Sequence, residues 1–409
     1  MNGPHIKKKL HRNIKAVGWA SLVNDISSEM IYPLLPIFLT SVLGAPALAL
    51  GVIEGLADTL SACMKWFSGV LTDHFHMRKP FIVAGYVLSG LVRPLMGITQ
   101  TWQQVLQLRI TDRLGKGVRA SARDALITEN VNANQRGKAF GFDRAMDHAG
   151  AALGPLIAAG LFYFFHWSIR KIFLCALIPA GIVFVILWIG IKEKKKTRTT
   201  KSTQPISFLK AAQFYGLGTT FKLFLVAVFI FTLGNSTDAF LILRLSNLGV
   251  SAAGIGLLWT CFHLIKMGTT YWGGKLSDTW NKKVMNGIGW LFYASVYFGF
   301  SWIDKTNSFI TLFLIYGIYF GLTEPTERAL VAEFSGENER GVAFGFYHAA
   351  VGIGTFPASL LFGWIYQVWG FSSAFKVGAG LAFVAAVILL IIPKSKIEVK
   401  KMHLSKIKN

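Results

Sequence analysis

The sequence predicts an all-α integral membrane protein of about twelve membrane-crossing helices, arranged as two pseudo-symmetric six-helix bundles. Three observations predict it. Of its 409 residues 53% are hydrophobic and only 15% charged, with mean hydropathy +0.48, which is far from an ordinary water-soluble domain. Apolar stretches of roughly 20 residues, the length that crosses a bilayer, recur throughout. The second half of the chain also repeats the first in nearly one register.

Spans are expected at about 16–41, 47–70, 80–99, 103–126, 138–165, 172–191, 221–245, 252–274, 284–303, 308–331, 341–368 and 372–392. Lys7, Lys8, Lys9 and Arg12 precede the first span without a small-residue cleavage site, so that helix is expected to be retained. Loop charge alternates. His76, Arg78 and Lys79, then Arg136 and Lys138, Lys192 to Lys201, Lys282 with Lys283, and Lys394 to Lys401 fall on one side, whereas Gly44 to Leu50, Thr99 to Gln104 and Ser246 to Ala253 carry no charge. Basic loops stay in the cytoplasm, so both termini are expected there, in a cell's inner or plasma membrane. Much of the net charge of +22 sits in these loops and tails. Anionic lipid headgroups suffice as its partner, and nucleic acid is not expected.

The stretch IKEKKKTRTTKSTQPISFLK is a basic connector near mid-chain. It divides residues 1–191, an N-terminal six-helix bundle, from residues 221–409, a C-terminal bundle with a basic tail, with 192–220 as a cytoplasmic linker. Cys63, Cys175 and Cys261 sit singly in apolar runs and read as packing residues, with no metal-ligand or redox spacing.

The repeat is the most specific signal. LGAPALALGVIEGLADTLSACMKWFSGVLTD, ending at Asp73, aligns without gaps on LGVSAAGIGLLWTCFHLIKMGTTYWGGKLSD, ending at Asp278, an offset of 205. Leu43, Gly44, Gly51, Gly69 and Leu71 recur as Leu248, Gly249, Gly256, Gly274 and Leu276. Downstream, ALITENVNANQRGKAFGF from Ala125 aligns on ALVAEFSGENERGVAFGF from Ala329, an offset of 204. Parallel repeats of this kind place a solute site near the midplane between the halves.

Charge inside the spans marks candidate site residues, because each charge at mid-depth costs about 2.5–3.5 kcal/mol on an insertion scale. On the fourth span Arg109, Asp112, Arg113, Lys116, Arg119, Arg123 and Asp124 fall within an arc of roughly 140°. Ile110, Leu114, Val118 and Ala122 take the other face. The charged arc must therefore face water, a partner or a solute. In the first span Asp25, Ser28, Glu29 and Tyr32 share a face at i, i+3, i+4 and i+7. Asp25 or Glu29 is expected either to carry a proton or to serve as counter-ion to Arg93 or Arg109.

Further charges at depth are Glu54, Asp58, Lys65, Arg93, Asp143, Arg144, Asp147 and His148, and in the second half Asp238, Arg244, Lys266, Glu324, Glu327, Arg328 and His348. Together they describe a basic lumen suited to an organic anion, because guanidinium forks pair with carboxylate or phosphate bidentately. Arg93, Arg109, Asp112, Arg113, Lys116, Arg244, Lys266 and Glu324 are the candidate solute-binding residues. Asp112, beside Arg113, is expected to hold that arginine while the site is empty.

These motifs resemble the major facilitator superfamily of secondary transporters, over essentially the whole chain. GVLTDHFHMRKP follows the second span where that family has G-x-x-x-D-R-x-G-R-R, with His74 and His76 in place of Arg and Gly; GKLSDTWNKK echoes it in the second half. Glu129 with Arg136 and Glu333 with Arg340 match the family's E-x6-R element. The resemblance implies a cytoplasmic latch of Asp73, Arg78, Glu129 and Arg136 with Asp278, Lys283, Glu333 and Arg340, ion pairs that close one face and break when it opens. Arg109 in RITDRLG stands at the arginine of the R-x-x-Q-G-x-G proton-coupling pattern, with Asp112 and Arg113 where Gln and Gly are usual. GAALGPLIAAG is similar to the antiporter signature G-x-x-x-G-P-x-x-G-G, with Ala158 replacing a Gly, although small residues also serve helix packing alone.

The expected function is proton-coupled movement of a small polar or anionic organic solute by alternating access. Efflux is hinted by the fifth-span motif. Uptake of an anionic nutrient, such as a sugar phosphate or a polycarboxylate metal chelator of the siderophore kind, fits the basic lumen equally. A membrane enzyme and a receptor on a transporter fold are the other classes. With no H-E-x-x-H, G-x-S-x-G or G-x-x-x-x-G-K-[ST], no catalytic residue, cofactor or metal site is expected. The expected partners are the solute, protons and the lipid bilayer, and the expected state is a monomer.

Overall fold

The computed structural model describes residues 11–75, 77–130, 136–192, 218–334 and 340–393. Among them the chain is helical with no strand, and each of the twelve expected spans falls on helix. We label the helices α1 (Arg12–Glu29), α2 (Ala47–Phe75), α3 (Lys79–Leu95), α4 (Trp102–Glu129), α5 (Arg136–Phe165), α6 (Ile169–Cys175) and α7 (Leu177–Gly190) in the first half. The second half holds α8 (Thr219–Gly234), α9 (Ala239–Asn247), α10 (Ala252–Thr279), α11 (Lys282–Phe300), α12 (Thr306–Tyr316), α13 (Ile318–Phe334) and α14 (Arg340–Ile391). The last of these is interrupted at Gly370, whose φ of 80° turns the eleventh span into the twelfth. Seven segments among the described residues are long and apolar enough to cross a membrane by length and composition. The charge-rich α4 is not one of them.

The repeat extends to backbone geometry. Gly44 and Gly249, one repeat apart, both adopt positive φ, 64° and 83°, in the turn after the first span of each half. The first span of each half also breaks at the matching position: α1 ends at Glu29 and α8 at Gly234, again 205 residues apart. The local causes differ. After α1 come Pro33 and Pro36, which cannot donate to a helix ladder, and the chain continues in short 3-10, α and π turns from Tyr32 to Val42. After α8 the run Asn235-Ser236-Thr237-Asp238 competes for backbone bonds, and the Thr237 hydroxyl accepts from the Ala239 N–H at 3.3 Å.

The described residues form two compact units. One takes those within Met1–Tyr32, Cys63–Thr99 and Gln107–Lys201, the other those within Pro33–Ala62, Gln100–Leu106 and Ser202–Asn409. In the first, Ile14, Val17, Ile82, Tyr86, Leu126, Ala139, Val183 and Leu187 make a core among α1, α3, α4, α5 and α7. Side chains help cap the end of α7. Arg12 donates to the Ile189 carbonyl at 2.8 Å, Lys79 Nζ to those of Trp188 (2.9 Å) and Ile191 (2.8 Å), and Asn13 to that of Lys192 at 3.0 Å. These carbonyls have no helical partner of their own. In the second unit Lys283, one repeat on from Lys79, donates in the same way to Leu390 (3.0 Å) and Ile392 (2.7 Å). Its core is aromatic: Phe231 stacks on Trp290 with centroids 4.5 Å apart, and Tyr293 on Tyr297 at 4.1 Å.

Within the first unit α1 packs on α5 through the glycines of GAALGPLIAAG. A Cβ added at Gly150 would collide with the Leu22 carbonyl. One added at Gly154 would lie 2.7 Å from the Ile26 carbonyl and 3.0 Å from Glu29 Cβ. Small residues here let two backbones meet. Gly154→Ala should therefore lower stability by roughly 1–3 kcal/mol, as overpacking does. Gly181→Ala in α7, where nothing lies within 4 Å, should leave it unchanged or raise it. Thermal unfolding of the purified variants in one detergent checks both.

Candidate functional site

The contact of α3 with α4 builds the centre of the site. A Cβ on Gly85 would lie 2.6 Å from the Gly115 carbonyl, and one on Gly115 would lie 2.8 Å from that of Gly85, so only glycines allow this approach. Gly115 closes the RITDRLG stretch. Close approach lets Ser89 Oγ donate to the Asp112 carbonyl at 2.9 Å. One turn further, Arg93 Nε donates to Asp112 Oδ1 at 2.8 Å, while Arg109 Nη1 faces Asp112 Oδ2 at 3.4 Å. Arg109 also lies 5.4 Å over the Tyr32 ring. All three charged groups are buried, at 3%, 3% and 1% exposure. Asp112 thus binds Arg93 and Arg109.

From α1, Asn24 completes the arrangement. Arg93 Nη1 donates to Asn24 Oδ1 at 2.9 Å, and Asn24 Nδ2 donates to Asp25 Oδ1 at 2.8 Å. Asp25 is linked to the buried triad through that amide. Its neighbour on that face, Glu29, sits with Asp25 where α1 meets Gly150 and Gly154 of α5. Sequence reasoning confined to titratable groups passes over Asn24, an uncharged relay one residue off the acidic face.

Along α4 the burial is the reverse of a soluble amphipathic helix. Arg109, Asp112 and Arg119 are buried, whereas Ile110, Leu114 and Val118 are only partly covered. The charged arc turns into the protein, Lys116 is exposed and Arg113 half-buried. Lower on the helix Arg123 gathers carboxylates from α5. Its Nη2 lies 3.5 Å from Asp143 Oδ2, its Nη1 3.5 Å from Asp147 Oδ1, and Nη1 donates to Ser21 Oγ at 2.7 Å. Asp147 also receives Arg144 at 3.2 Å.

In the second half Lys266 and Glu324 meet each other at 3.2 Å, with Lys266 Nζ 3.8 Å over Phe320 and Thr270 donating to Glu324 at 3.4 Å. Arg244 lies elsewhere. It pairs with Asp304, an exposed loop residue, at 2.8 Å and stacks 3.5 Å from the Phe371 ring, so its charge is spent at a helix end rather than beside Lys266. Two carboxylates take phenol partners: Tyr316 donates to Asp238 at 2.9 Å, and Tyr347 to Glu327 at 2.8 Å, with Trp290 Nε1 on its other oxygen at 3.0 Å.

Some residues expected in the latch form ion pairs. Arg78 pairs with Glu129 at 3.3 Å. In the second half Lys282, rather than Lys283, reaches Glu333, at 3.6 Å. Lys283 is occupied by the carbonyls that end α14, which removes it from the latch. Both pairs sit one repeat of 204 apart at each partner. The side chains of Asp73, Arg136, Asp278 and Arg340 lie outside the described residues.

Breaking the triad from the carboxylate side tests its electrostatics. Asp112→Asn leaves two buried guanidiniums without their charge and should cost about 3–5 kcal/mol of stability. Combining it with Arg93→Met, which removes one of the stranded charges, should recover part of that loss. A double-mutant cycle on thermal unfolding measures the coupling.

The chain resembles known proteins over nearly its full length. Its sequence matches the Major Facilitator Superfamily over residues 17–326 and 223–405. It is 31% identical over 391 residues, 94% of this chain and 96% of the relative, to an uncharacterized MFS-type transporter of Methanocaldococcus jannaschii. It is 23% identical over 345 residues, 83% of this chain and 82% of the relative, to a multidrug resistance protein of Photorhabdus laumondii. Its fold superposes on the crystal structure of a D-xylose–proton symporter with TM-score 0.73 at 17% identity, covering 94% of this chain and 98% of that one. This chain is therefore an integral, multi-pass membrane protein of the major facilitator superfamily.

Proposed function

We propose that the protein is a proton-coupled secondary transporter that moves a small organic anion across the inner or plasma membrane by alternating access. The observation that carries this reading is the concentration of guanidinium groups at depth on α3 and α4, where Arg93, Arg109 and Arg119 are buried beside a single buried carboxylate, Asp112. An apolar bundle tolerates such an excess of positive charge where an anion is to be received. In this reading the halves 1–191 and 221–409 rock about the 192–220 linker, both termini face the cytoplasm, and Arg109, Arg113 and Lys116 line the inward path on α4. Lys266 and Glu324, already paired, contribute from the second half. The pairs Arg78–Glu129 and Lys282–Glu333 act as matched latches at one face.

Direction has two readings, each with its support. Likeness to a multidrug resistance protein, with the glycine motif of α5, favours efflux. The basic lumen favours uptake of an anionic nutrient, such as a sugar phosphate or a polycarboxylate chelator. Proton coupling falls to Asp25 and Glu29, because Asp25 reaches Arg93 through Asn24, so a proton gained there is felt at the anion-binding arginines.

Reconstitution in liposomes with an imposed pH gradient tests the whole reading. Solute flux driven by the gradient supports a carrier, and a folded protein that binds solute without flux would make it a receptor. Asp25→Asn or Glu29→Gln should abolish gradient-driven accumulation while leaving solute exchange intact, since exchange requires no net proton movement. Equal loss of both activities would assign that residue a structural role instead. For the latch, Glu129→Gln combined with Glu333→Gln should slow flux while solute binding persists.

A further inference from the structure

We propose that Arg119 is the group on which the solute's oxyanion, a carboxylate or phosphate, docks. The inference rests on the organic-anion reading above and names the contact within it. Arg119 is 5% exposed, yet its partners are neutral: Nη1 donates to Ser89 Oγ at 3.0 Å, and the guanidinium carbon stands 4.4 Å over the Tyr86 ring. Among the described residues no carboxylate lies within the 4.0 Å of an ion pair. Three other arginines of the network have acids: Arg93 and Arg109 share Asp112, and Arg123 has Asp143 and Asp147.

A buried guanidinium without a counter-charge is unfavourable, and a hydroxyl and a ring face offset only part of the lost hydration. A solute anion supplies the missing partner. With Nη1 committed to Ser89, Nε and Nη2 remain as the adjacent pair of donors that matches the two oxygens of a carboxylate or phosphate. The stem is held in advance. A Cβ built at Gly85 would lie 2.8 Å from Arg119 Cβ, so the α3 backbone packs directly against it, and little ordering remains to be done when the anion arrives. The local field agrees. Asp112 of the same network is already shared between two arginines. The amphipathic arc alone does not distinguish Arg119 from Arg113 or Lys116; its burial does.

The test titrates the purified full chain in detergent with benzoate, citrate and glucose 6-phosphate, and with benzamide and glucose as neutral counterparts. Wild type should bind at least one of the anions and discriminate against its neutral counterpart. Arg119→Gln should weaken that anion roughly 30-fold or more, as losing one partner of a buried charged pair does, and should erase the discrimination, which a merely structural role would leave in place. Arg119→Lys keeps the charge without the fork and should fall between the two. Which of the carboxylates and the phosphate ester loses affinity identifies the oxyanion. Undiminished anion affinity in folded Arg119→Gln overturns the assignment and leaves the anion-carrier reading standing. A wild type that takes only neutral solutes overturns both. Should Arg119→Gln not fold, unchanged affinity and selectivity in both Arg119→Lys and Ser89→Ala overturns it equally.

Discussion

The Asp112 carboxylate held between Arg93 and Arg109 is the interaction on which the first unit depends, because a bilayer supplies no water to solvate any of the three. Once those charges are on α3 and α4, the helices must approach until the groups touch, and Gly85 against Gly115 permits that approach. The Asp112 backbone is then fixed by Ser89, and the remaining donor of Arg93 is absorbed by Asn24 of α1. Helix α1 in turn needs a neighbour with no side chain at the level of Asp25 and Glu29, which Gly150 and Gly154 of α5 provide. Four helices are thus ordered around one ionic contact by the positions where they carry glycine.

Spans, their number and their register were legible because apolar length and a two-fold repeat are properties of the chain itself, independent of packing. Nearly the same offset relates the positive-φ glycines Gly44 and Gly249 and the paired acids Glu129 and Glu333. What was not legible turns on which atom reaches which. Asn24 carries no charge and so drew no attention, although an amide that donates and accepts is the natural bridge from Asp25 to Arg93. Lys282 and Lys283 are neighbours with identical chemistry; which takes Glu333 depends on the direction each leaves the start of α11, and the carbonyl ends of α14 claim Lys283. Arg244 was grouped with the lumen because it lies within an apolar run. It stands near the end of α9, however, where a loop acid, Asp304, is in reach. The arc on α4 was recognised as one face, but its partition into buried Arg109, Asp112 and Arg119 and exposed Lys116 follows from where α3 crosses.

Asn24 makes α1 more than a packing element. Its side chain spans from a buried guanidinium to Asp25, and a few residues on, at Glu29, the helix gives way to short turns. Interrupted helices at midplane depth expose backbone groups and can rearrange locally without unpacking a whole span. A change of charge at Asp25 is therefore placed where it bears at once on the arginine cluster and on the least regular part of the first span. The equivalent break in the second half carries Asp238, held by the Tyr316 phenol, so each half joins an acid to its helix break by different chemistry.

That difference recurs at several buried positions when the halves are compared at the 204-residue offset. Ser89 becomes Tyr293, Arg93 becomes Tyr297, Asp112 becomes Tyr316, Arg123 becomes Glu327 and Asp143 becomes Tyr347. Where the first half sets guanidinium against carboxylate, the second stacks rings, as in Tyr293 on Tyr297, or joins phenol to acid, as in Tyr347 with Glu327. The helix framework is common, since α3 and α11 begin and end within a residue of the same offset, as do α4 and the α12–α13 pair. One scaffold has therefore been filled twice, once with ionic pairs that can exchange partners and once with an aromatic cluster whose packing resists rearrangement. Duplication explains the shared helices. A charge placed near Arg93, Arg109, Arg119 and Asp112 would act on their balance directly, whereas rings and phenols present apolar faces to the same perturbation.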